Sequence, residues 1–195
     1  LVLMKLIVGL GNPGKEYEMS RHNMGFMAIE RVCERLKMPS FRNESKFKCE
    51  ISRGDFNGEK IILLKPLTFM NLSGEAVQAV KQFYKLNTSD VWALYDDIDL
   101  PLGTLRIRAE GSPGTHNGMK SLTQFLSTEH FPRFRLGIES RGLSSPHQQD
   151  LSSFVLEPFR SEELSQVREL TEKAAEAVAL ALKKDLETAQ QQYSS

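Results

Sequence analysis

Runs of apolar residues alternate along this chain with stretches of helical periodicity. Residues 5–10 are almost continuously apolar up to Gly11, which predicts a buried strand. Residues 47–51 alternate between apolar and polar side chains, as expected of a strand covered on one face. An Asn57-Gly58 pair is a strong hairpin signal. Further strands are predicted at residues 60–64, 91–95, 104–108 and 134–138.

Helical spacing predicts a first helix from near Asn23 to just before Pro39. A second helix should begin after Ser73-Gly74 and bury Phe83, and a last one should begin at Ser161. A short helix is predicted around Leu122, Phe125 and Leu126. Strands interleaved with helices predict an α/β fold, here a single-domain three-layer sandwich over residues 1–195. Its twisted sheet should be mixed and mostly parallel, with helices on its two faces.

The glycine-rich segment after the first strand, residues 9–14, matches the G-x-G-x-x-G pattern of dinucleotide-binding proteins. Pro13 and the polar residues after it replace the apolar helix start that would hold a pyrophosphate. The acidic residue at the expected distance, Glu30, falls inside the first helix. We therefore interpret the segment as a tight turn that presents Asn12, and not as a nucleotide site.

Composition narrows the class of protein. The 25 basic and 25 acidic residues cancel, which argues mildly against a nucleic-acid partner. Six basic residues against three acidic ones between Arg106 and Arg141 nevertheless predict a local basic face suited to one phosphate. No run approaches the roughly 20 apolar residues of a membrane span. Cys33 and Cys49 are predicted to be buried and unpaired, in keeping with a cytoplasmic protein, and Met4 is a candidate natural start.

Four polar segments are predicted at or near the ends of strands, where sites form in α/β sheets. They contain His22 with Asn12, then Asn71, then Asp96 with Asp97 and Asp99, and finally Asn117. Taken singly, each residue has an ordinary explanation: a helix cap or solvated loop for His22, and turns for the asparagines. The three aspartates could also bind a divalent ion.

Taken together, these residues supply what ester hydrolysis requires. A histidine can take a proton from water, and a buried aspartate can fix its ring. Asparagine amides can stabilise the oxyanion. Neither a G-x-S-x-G motif nor a cysteine lies on these segments, which favours direct attack by water.

The same segments resemble the bacterial-type peptidyl-tRNA hydrolase family, in order and in spacing, over almost the whole chain. The matching segments are residues 9–14 with Tyr17 and residues 21–25, then residues 65–74, 96–103 and 116–118. The resemblance implies a monomeric, cytoplasmic enzyme without metal or cofactor. It would hydrolyse the ester between peptide and tRNA.

The resemblance also implies roles for single residues. His22 would be the general base, with Asp96 stabilising its protonated form and Asn12 sensing whether the amino group is blocked. Asn71 and Asn117 would hold the attacked carbonyl, the water or the terminal nucleotide. The groove would be lined by Tyr17, Phe69 and Met70, and the tRNA 5′ phosphate would be gripped by Arg108 and Arg135.

Two stretches depart from the family pattern. Ser112, Pro113 and Thr115 interrupt a glycine-rich stretch, and Glu139-Ser140 places an acid beside the expected phosphate clamp. Both departures concern substrate handling and not His22 or Asp96. The alternative function is a catalytically weak RNA-binding relative that acts in RNA processing or splicing.

Overall fold

A computed structural model of the protein describes residues 3–142 and 151–194. Seven strands of these ranges form one sheet in the order β2-β3-β4-β1-β5-β7-β6. The strands are Met4–Gly9 (β1), Arg42–Glu44 (β2), Cys49–Phe56 (β3), Glu59–Pro66 (β4), Val91–Pro101 (β5), Leu105–Arg108 (β6) and Arg133–Glu139 (β7). The helices are Met24–Arg35 (α1), Ser73–Phe83 (α2), Asn117–Leu126 (α3), Leu151–Leu156 (α4), Leu164–Lys183 (α5) and Leu186–Tyr193 (α6).

The sheet is mixed, with a parallel centre. Strands β4, β1, β5 and β7 run parallel to one another, while β2, β3 and β6 pair antiparallel with their neighbours. Alternate residues of the central strands point to opposite faces of the sheet. Both sets are apolar, and helices cover them on each face. Ile7 belongs to the core under α1 and α5, whereas Leu6 and Val8 belong to the core under α2 and α3. The predicted α/β sandwich with a mixed sheet is confirmed.

Several predicted elements are confirmed with small shifts. The hairpin between β3 and β4 turns at Asn57-Gly58, both with positive φ. Cys33 and Cys49 are buried and free. Phe47 lies in a 3-10 turn ahead of β3 and not in the strand. The helix at the C-terminus ends at Lys183 and is followed by the separate α6.

Two predictions about burial and strand length were wrong. Phe83 is the last residue of α2 and is 57% exposed, with its ring packed edge-on against Phe47 at 5.2 Å between ring centres. Strand β5 does not stop at Tyr95 but continues to Pro101. Its backbone keeps a partner in β7 as far as Asp97 and, after a shift in register, again at Pro101. The strand therefore continues through polar residues, which usually mark the end of a strand, because its backbone is paired with β7.

The edge strand β6 is closed by the C-terminal segment. The Ser194 hydroxyl accepts the backbone N–H of Ile107 at 2.7 Å, and the Gln190 amide donates to the carbonyl of Ile107 at 3.1 Å. The Ile107 carbonyl also accepts from Arg108 Nη1 at 3.0 Å, whereas the Ile107 N–H would be available to another strand without Ser194. None of the helices within residues 3–142 and 151–194 is long and apolar enough to span a membrane.

Two glycines let α1 lie directly against the sheet. A Cβ on Gly25 would approach the carbonyl oxygens of Leu94 and Leu10 to 2.4 and 2.5 Å, and one on Gly9 would approach the Gly25 carbonyl oxygen to 2.4 Å. Backbone atoms cannot yield as side chains do. These contacts fix the start of α1 over β1 and β5.

Gly25→Ala should therefore lower the free energy of unfolding by about 1–3 kcal/mol, the usual cost of overpacking a dense interior. Denaturant titration measures this change. Gly54→Ala is the control, because its Cβ would crowd the flexible end of the Met38 side chain and would reach Pro39 at an ordinary contact distance of 3.6 Å. Equal stability of Gly25→Ala and the unsubstituted protein would show that the backbone contact is not tight.

Candidate active site

His22 lies in a 3-10 turn, Arg21–Asn23, that leads directly into α1. The turn is tied to the loop after β1 by a reciprocal pair of hydrogen bonds. The Asn12 backbone N–H donates to the Asn23 side chain at 2.8 Å, and the Asn23 amide donates to the Asn12 carbonyl at 3.0 Å. Together with the close contact at Gly25, these bonds place the His22 ring over the end of β1.

Asp96, in the middle of β5, is bound by two histidines. Its Oδ2 lies 2.8 Å from His22 Nδ1, and its Oδ1 lies 2.8 Å from His116 Nε2. The carboxylate is 2% exposed and His22 is 8% exposed. The central contact that the sequence predicts, between His22 and Asp96, is present in the structure.

The hydrogen bonds determine which ring nitrogens carry protons. His116 caps α3 by accepting the Met119 backbone N–H on Nδ1 at 3.2 Å, so its Nε2 must donate to Asp96. The other carboxylate oxygen then receives the Nδ1–H of His22. This leaves His22 Nε2 with a lone pair and with no hydrogen-bond partner among the described residues.

The electrostatics agree with this assignment. Burial raises the pKa of the Asp96 carboxyl, but the two imidazoles lower it by more, so this pKa lies well below its usual range. Burial lowers the pKa of His22, but the charge and hydrogen bond of Asp96 raise it by more, to above the ordinary 6.5. The contact therefore stabilises the fold fully only between the ordinary pKa values of the two groups, 3.8 for the carboxyl and 6.5 for the imidazole. This contribution is lost as pH rises through the raised pKa of His22, and it is also lost as pH falls through the lowered pKa of Asp96.

Asn12 presents a defined hydrogen-bond donor to the same space. Its side-chain oxygen accepts the Met70 backbone N–H at 2.8 Å, which identifies the other end of the amide as the NH2 group. Asn12 is only 7% exposed, so its orientation is held by its surroundings. The amide can donate to a carbonyl but cannot accept from its N–H side.

A cavity of about 780 Å³ contains these groups. It also brings together most of the residues that the sequence predicts for the site, namely Asn12, His22, Phe69, Met70, Asn71, Asp96, Arg108, Asn117 and Arg135. Tyr17 is the exception, since it does not line this cavity. The chain leaves Gly14 with φ of 115° and forms a 3-10 turn, Lys15–Tyr17, before it returns to His22. The prediction that Tyr17 lines the groove stays a prediction.

Arginines line one face of the β6–β7 pair. Arg106 lies opposite Arg135, and Arg108 lies opposite Arg133, so all four share that face. Arg133 is 1% exposed and donates to several backbone carbonyls, including those of Gly111 and Ser112. It thus holds the loop before His116. Arg108 and Arg135 also line the cavity, in agreement with the predicted basic face.

Arg135 forms an ion pair with Asp97, the residue after Asp96. Its Nε donates to Asp97 Oδ2 at 2.6 Å, while Asp97 Oδ1 accepts the Asp99 backbone N–H at 2.9 Å. Asp96 and Asp97 therefore serve different partners on opposite sides of β5. Glu139, the acid that departs from the family pattern, is neutralised by Arg141, whose Nε lies 2.9 Å away.

Among the described residues, Asp96, Asp97 and Asp99 do not form one group of possible ion ligands. A different set, His22, Asp96 and His116, offers ligand atoms within 4.8 Å of one another and is of a type that binds zinc. Nδ1 of His22 and Nε2 of His116 each lie 2.8 Å from an oxygen of the Asp96 carboxylate, which is the distance of a hydrogen bond. A metal would have to displace both protons, so the arrangement fits acid–base chemistry better.

His116 is the residue of this centre to which the sequence analysis assigned no role. It appeared only as part of a matching segment, since its partner Asp96 lies 20 residues away in β5. His116 is the N-cap of α3, which begins at Asn117, five residues before the first residue on which the predicted helix was based, Leu122. An earlier start of that helix was the signal that could have revealed the role of His116.

The fold and the site define an α/β protein with a histidine–carboxylate centre for acid–base chemistry, set in a cavity lined by amides and arginines. The family model for peptidyl-tRNA hydrolase matches residues 6–195. The chain therefore belongs to the peptidyl-tRNA hydrolase family, as the resemblance suggested.

Individual relatives agree with this assignment. The chain is 49% identical over 174 residues to a peptidyl-tRNA hydrolase of Bacillus cereus (strain Q1), covering 89% of this chain and 90% of the relative. It is 44% identical over 191 residues to that of Alkaliphilus oremlandii, covering 98% of this chain and all of the relative. The crystal structure of the Acinetobacter baumannii peptidyl-tRNA hydrolase superposes with a TM-score of 0.90 at 31% identity, over 98% of this chain and 95% of that one.

Asp96→Asn should lower the pKa of His22 to below 6.5, because burial of the ring remains while the charge that offsets it is lost. NMR titration of the imidazole signals measures the pKa. His130, which is exposed and paired with Glu110 away from Asp96, supplies reference imidazole signals in the same spectra. An unaltered His22 pKa would mean that Asp96 does not govern its protonation.

Proposed function

We propose that this protein hydrolyses the ester bond between a peptide and the terminal ribose of tRNA, with water as the nucleophile and His22 as the general base. The observation that carries the proposal is the hydrogen bond from His22 Nδ1 to Asp96, which directs the free Nε2 of His22 toward the cavity. Membership of the peptidyl-tRNA hydrolase family supports the choice of substrate.

The reaction begins with transfer of a proton from water to His22 Nε2 as the water oxygen attacks the ester carbonyl carbon. Asp96 stabilises the imidazolium that forms, which is the same interaction that raises the pKa of His22. The tetrahedral intermediate then expels the ribose oxygen, and the imidazolium returns its proton to that leaving group. The peptide departs as a carboxylic acid that ionises in solvent.

Asn12 gives a physical reason for selecting blocked substrates. Its NH2 group can donate to the carbonyl of a peptide bond. A free aminoacyl group offers a positively charged ammonium near that position, which also donates and cannot accept. We assign Asn12 the role of separating peptidyl-tRNA from aminoacyl-tRNA.

Both Asn71, in the 3-10 turn Met70–Leu72, and Asn117, the first residue of α3, are exposed on the cavity wall. Their amides are suited to binding the ester carbonyl, where charge develops, or the terminal nucleotide. Phe69 is 59% exposed and offers an apolar surface for a base or a peptide side chain. Tyr17, outside the cavity, is left to contact a more distant part of the substrate.

In this proposal the enzyme is a monomer that acts in the cytoplasm and needs neither metal nor cofactor. It consists of one domain, residues 1–195. The alternative, an RNA-binding relative with weak turnover, is less well supported because the His22–Asp96 contact is intact and Glu139 is neutralised by Arg141. Measuring tRNA binding and cleavage side by side separates the two functions.

The purified protein should release peptide from an N-blocked aminoacyl-tRNA in the presence of a metal chelator, and release far less from the unblocked form. His22→Ala should abolish turnover, and Asp96→Ala should lower kcat roughly 10²–10⁴-fold, as loss of general-base catalysis does. His130→Gln is the control, since this exposed imidazole does not contact the Asp96 centre. Near-normal rates for His22→Ala would contradict the mechanism.

Arg108→Met should raise KM about tenfold for a substrate that carries the tRNA 5′ phosphate, because a charged hydrogen bond to that phosphate is lost. The side chain is exposed on the cavity wall, so kcat should change little. The measurement compares both proteins on phosphorylated and dephosphorylated substrate. The variant and the unsubstituted protein should have the same KM once the phosphate is removed, and a persistent difference would exclude this phosphate as the partner.

A further inference from the structure

Arg21, the neighbour of His22, is a fully buried arginine whose side-chain hydrogen bonds reach a distant part of the chain. Its Nη2 lies 3.0 and 3.3 Å from the two carboxylate oxygens of Glu163. Its Nη1 lies 3.1 Å from the Pro158 carbonyl oxygen, and its backbone N–H donates to the Glu157 carbonyl at 3.0 Å. The segment after α4 is thereby fastened to the turn that carries the general base.

Arg21 also contacts α4 itself. Its guanidinium carbon lies 4.2 Å from the centre of the Phe154 ring, and that of Arg141 lies 4.6 Å from the same centre. Phe154 is 1% exposed. Each arginine has its own carboxylate partner, Glu163 for Arg21 and Glu139 for Arg141.

Helix α4 forms part of the cavity wall. Leu151, Val155 and Leu156 line the cavity on either side of the buried Phe154. A helix of six residues has little stability of its own, so its position depends on what its buried side chain contacts. The main contacts of that side chain with charged groups are Arg21 and Arg141.

We propose that Arg21 is a positioning residue that sets the separation between His22 and the cavity wall formed by α4. The guanidinium contacts Phe154 of the wall, while the backbone of Arg21 continues directly into His22. A shift of the wall relative to the base would misplace a substrate held against it. This inference rests on the proposed hydrolase function.

A purely structural explanation exists and makes a different prediction. Arg21 could serve only to neutralise the buried Glu163, in which case removing both charges together would restore the protein completely. The double variant Arg21→Met/Glu163→Gln tests this, because it leaves no unpaired buried charge. The amide oxygen of the substituted side chain can still accept the Arg160 backbone N–H that Glu163 accepts at 2.6 Å.

We expect the double variant to fold with a melting temperature close to that of the unsubstituted protein but to lose roughly 10- to 100-fold in kcat/KM on N-blocked aminoacyl-tRNA, the range that a small misplacement of substrate can cost. The acid limb of its pH profile should stay where it is in the unsubstituted protein, because the contact of His22 with Asp96 is untouched. Unchanged kcat/KM, or an acid limb displaced by a pH unit, would overturn the proposal.

Phe154→Leu provides a second test that keeps both ion pairs. It removes the ring between α4 and the arginines and should lower kcat/KM severalfold, again without moving the acid limb. Full activity of this variant would overturn the proposal even if the double variant failed to fold. Arg35→Met is the matched control, since Arg35 also joins two segments through glutamates, Glu172 and Glu176, but lies on the exposed α1–α5 surface.

The two hypotheses fail in different ways. If the unsubstituted protein releases no peptide, the proposed function is wrong. If it is active and the Arg21 and Phe154 variants are equally active, only the positioning role of Arg21 is wrong.

Discussion

The site depends on one buried carboxylate that is held by two imidazoles. Asp96 is almost inaccessible to water, and a charge in that position is tolerated only because both oxygens receive hydrogen bonds. The two histidines that donate these hydrogen bonds differ in whether their second ring nitrogen is also bound. His116 is fixed by its second bond to the start of α3, whereas His22 keeps its other nitrogen available. One carboxylate thus has a structural side and a reactive side.

The fold brings these three residues together by different means. His22 is placed by the close approach of α1 to β1 and β5, which only glycine at positions 9 and 25 allows. Asp96 is placed by continued pairing of β5 with β7. His116 arrives on the loop after β6, which runs antiparallel to β7, so that β6 ends beside the beginning of β7. Arg133 at that level binds the loop carbonyls and directs the chain back toward Asp96.

Much of this arrangement could be predicted from residue patterns, because strand and helix periods differ and because polar residues after apolar runs mark sites. The histidine–aspartate contact followed from residue chemistry and family resemblance together. The role of His116 and the length of β5 could not be predicted in the same way. Each depends on pairing between segments far apart, and the local sequence around Asp96 looks like the end of a strand. Phe83 shows the same limit, since helical spacing does not tell whether the last turn of a helix is covered.

The contacts of Ser194 and Gln190 with Ile107 have a consequence for how the molecule behaves in a crowded solution. An uncovered outer strand is a template on which a second chain can add its own, and such addition can continue into insoluble aggregates. In this protein Gln190 and Ser194 occupy that position beside Ile107. Loss of the segment that carries them would therefore uncover the edge of the sheet and favour self-association through β6.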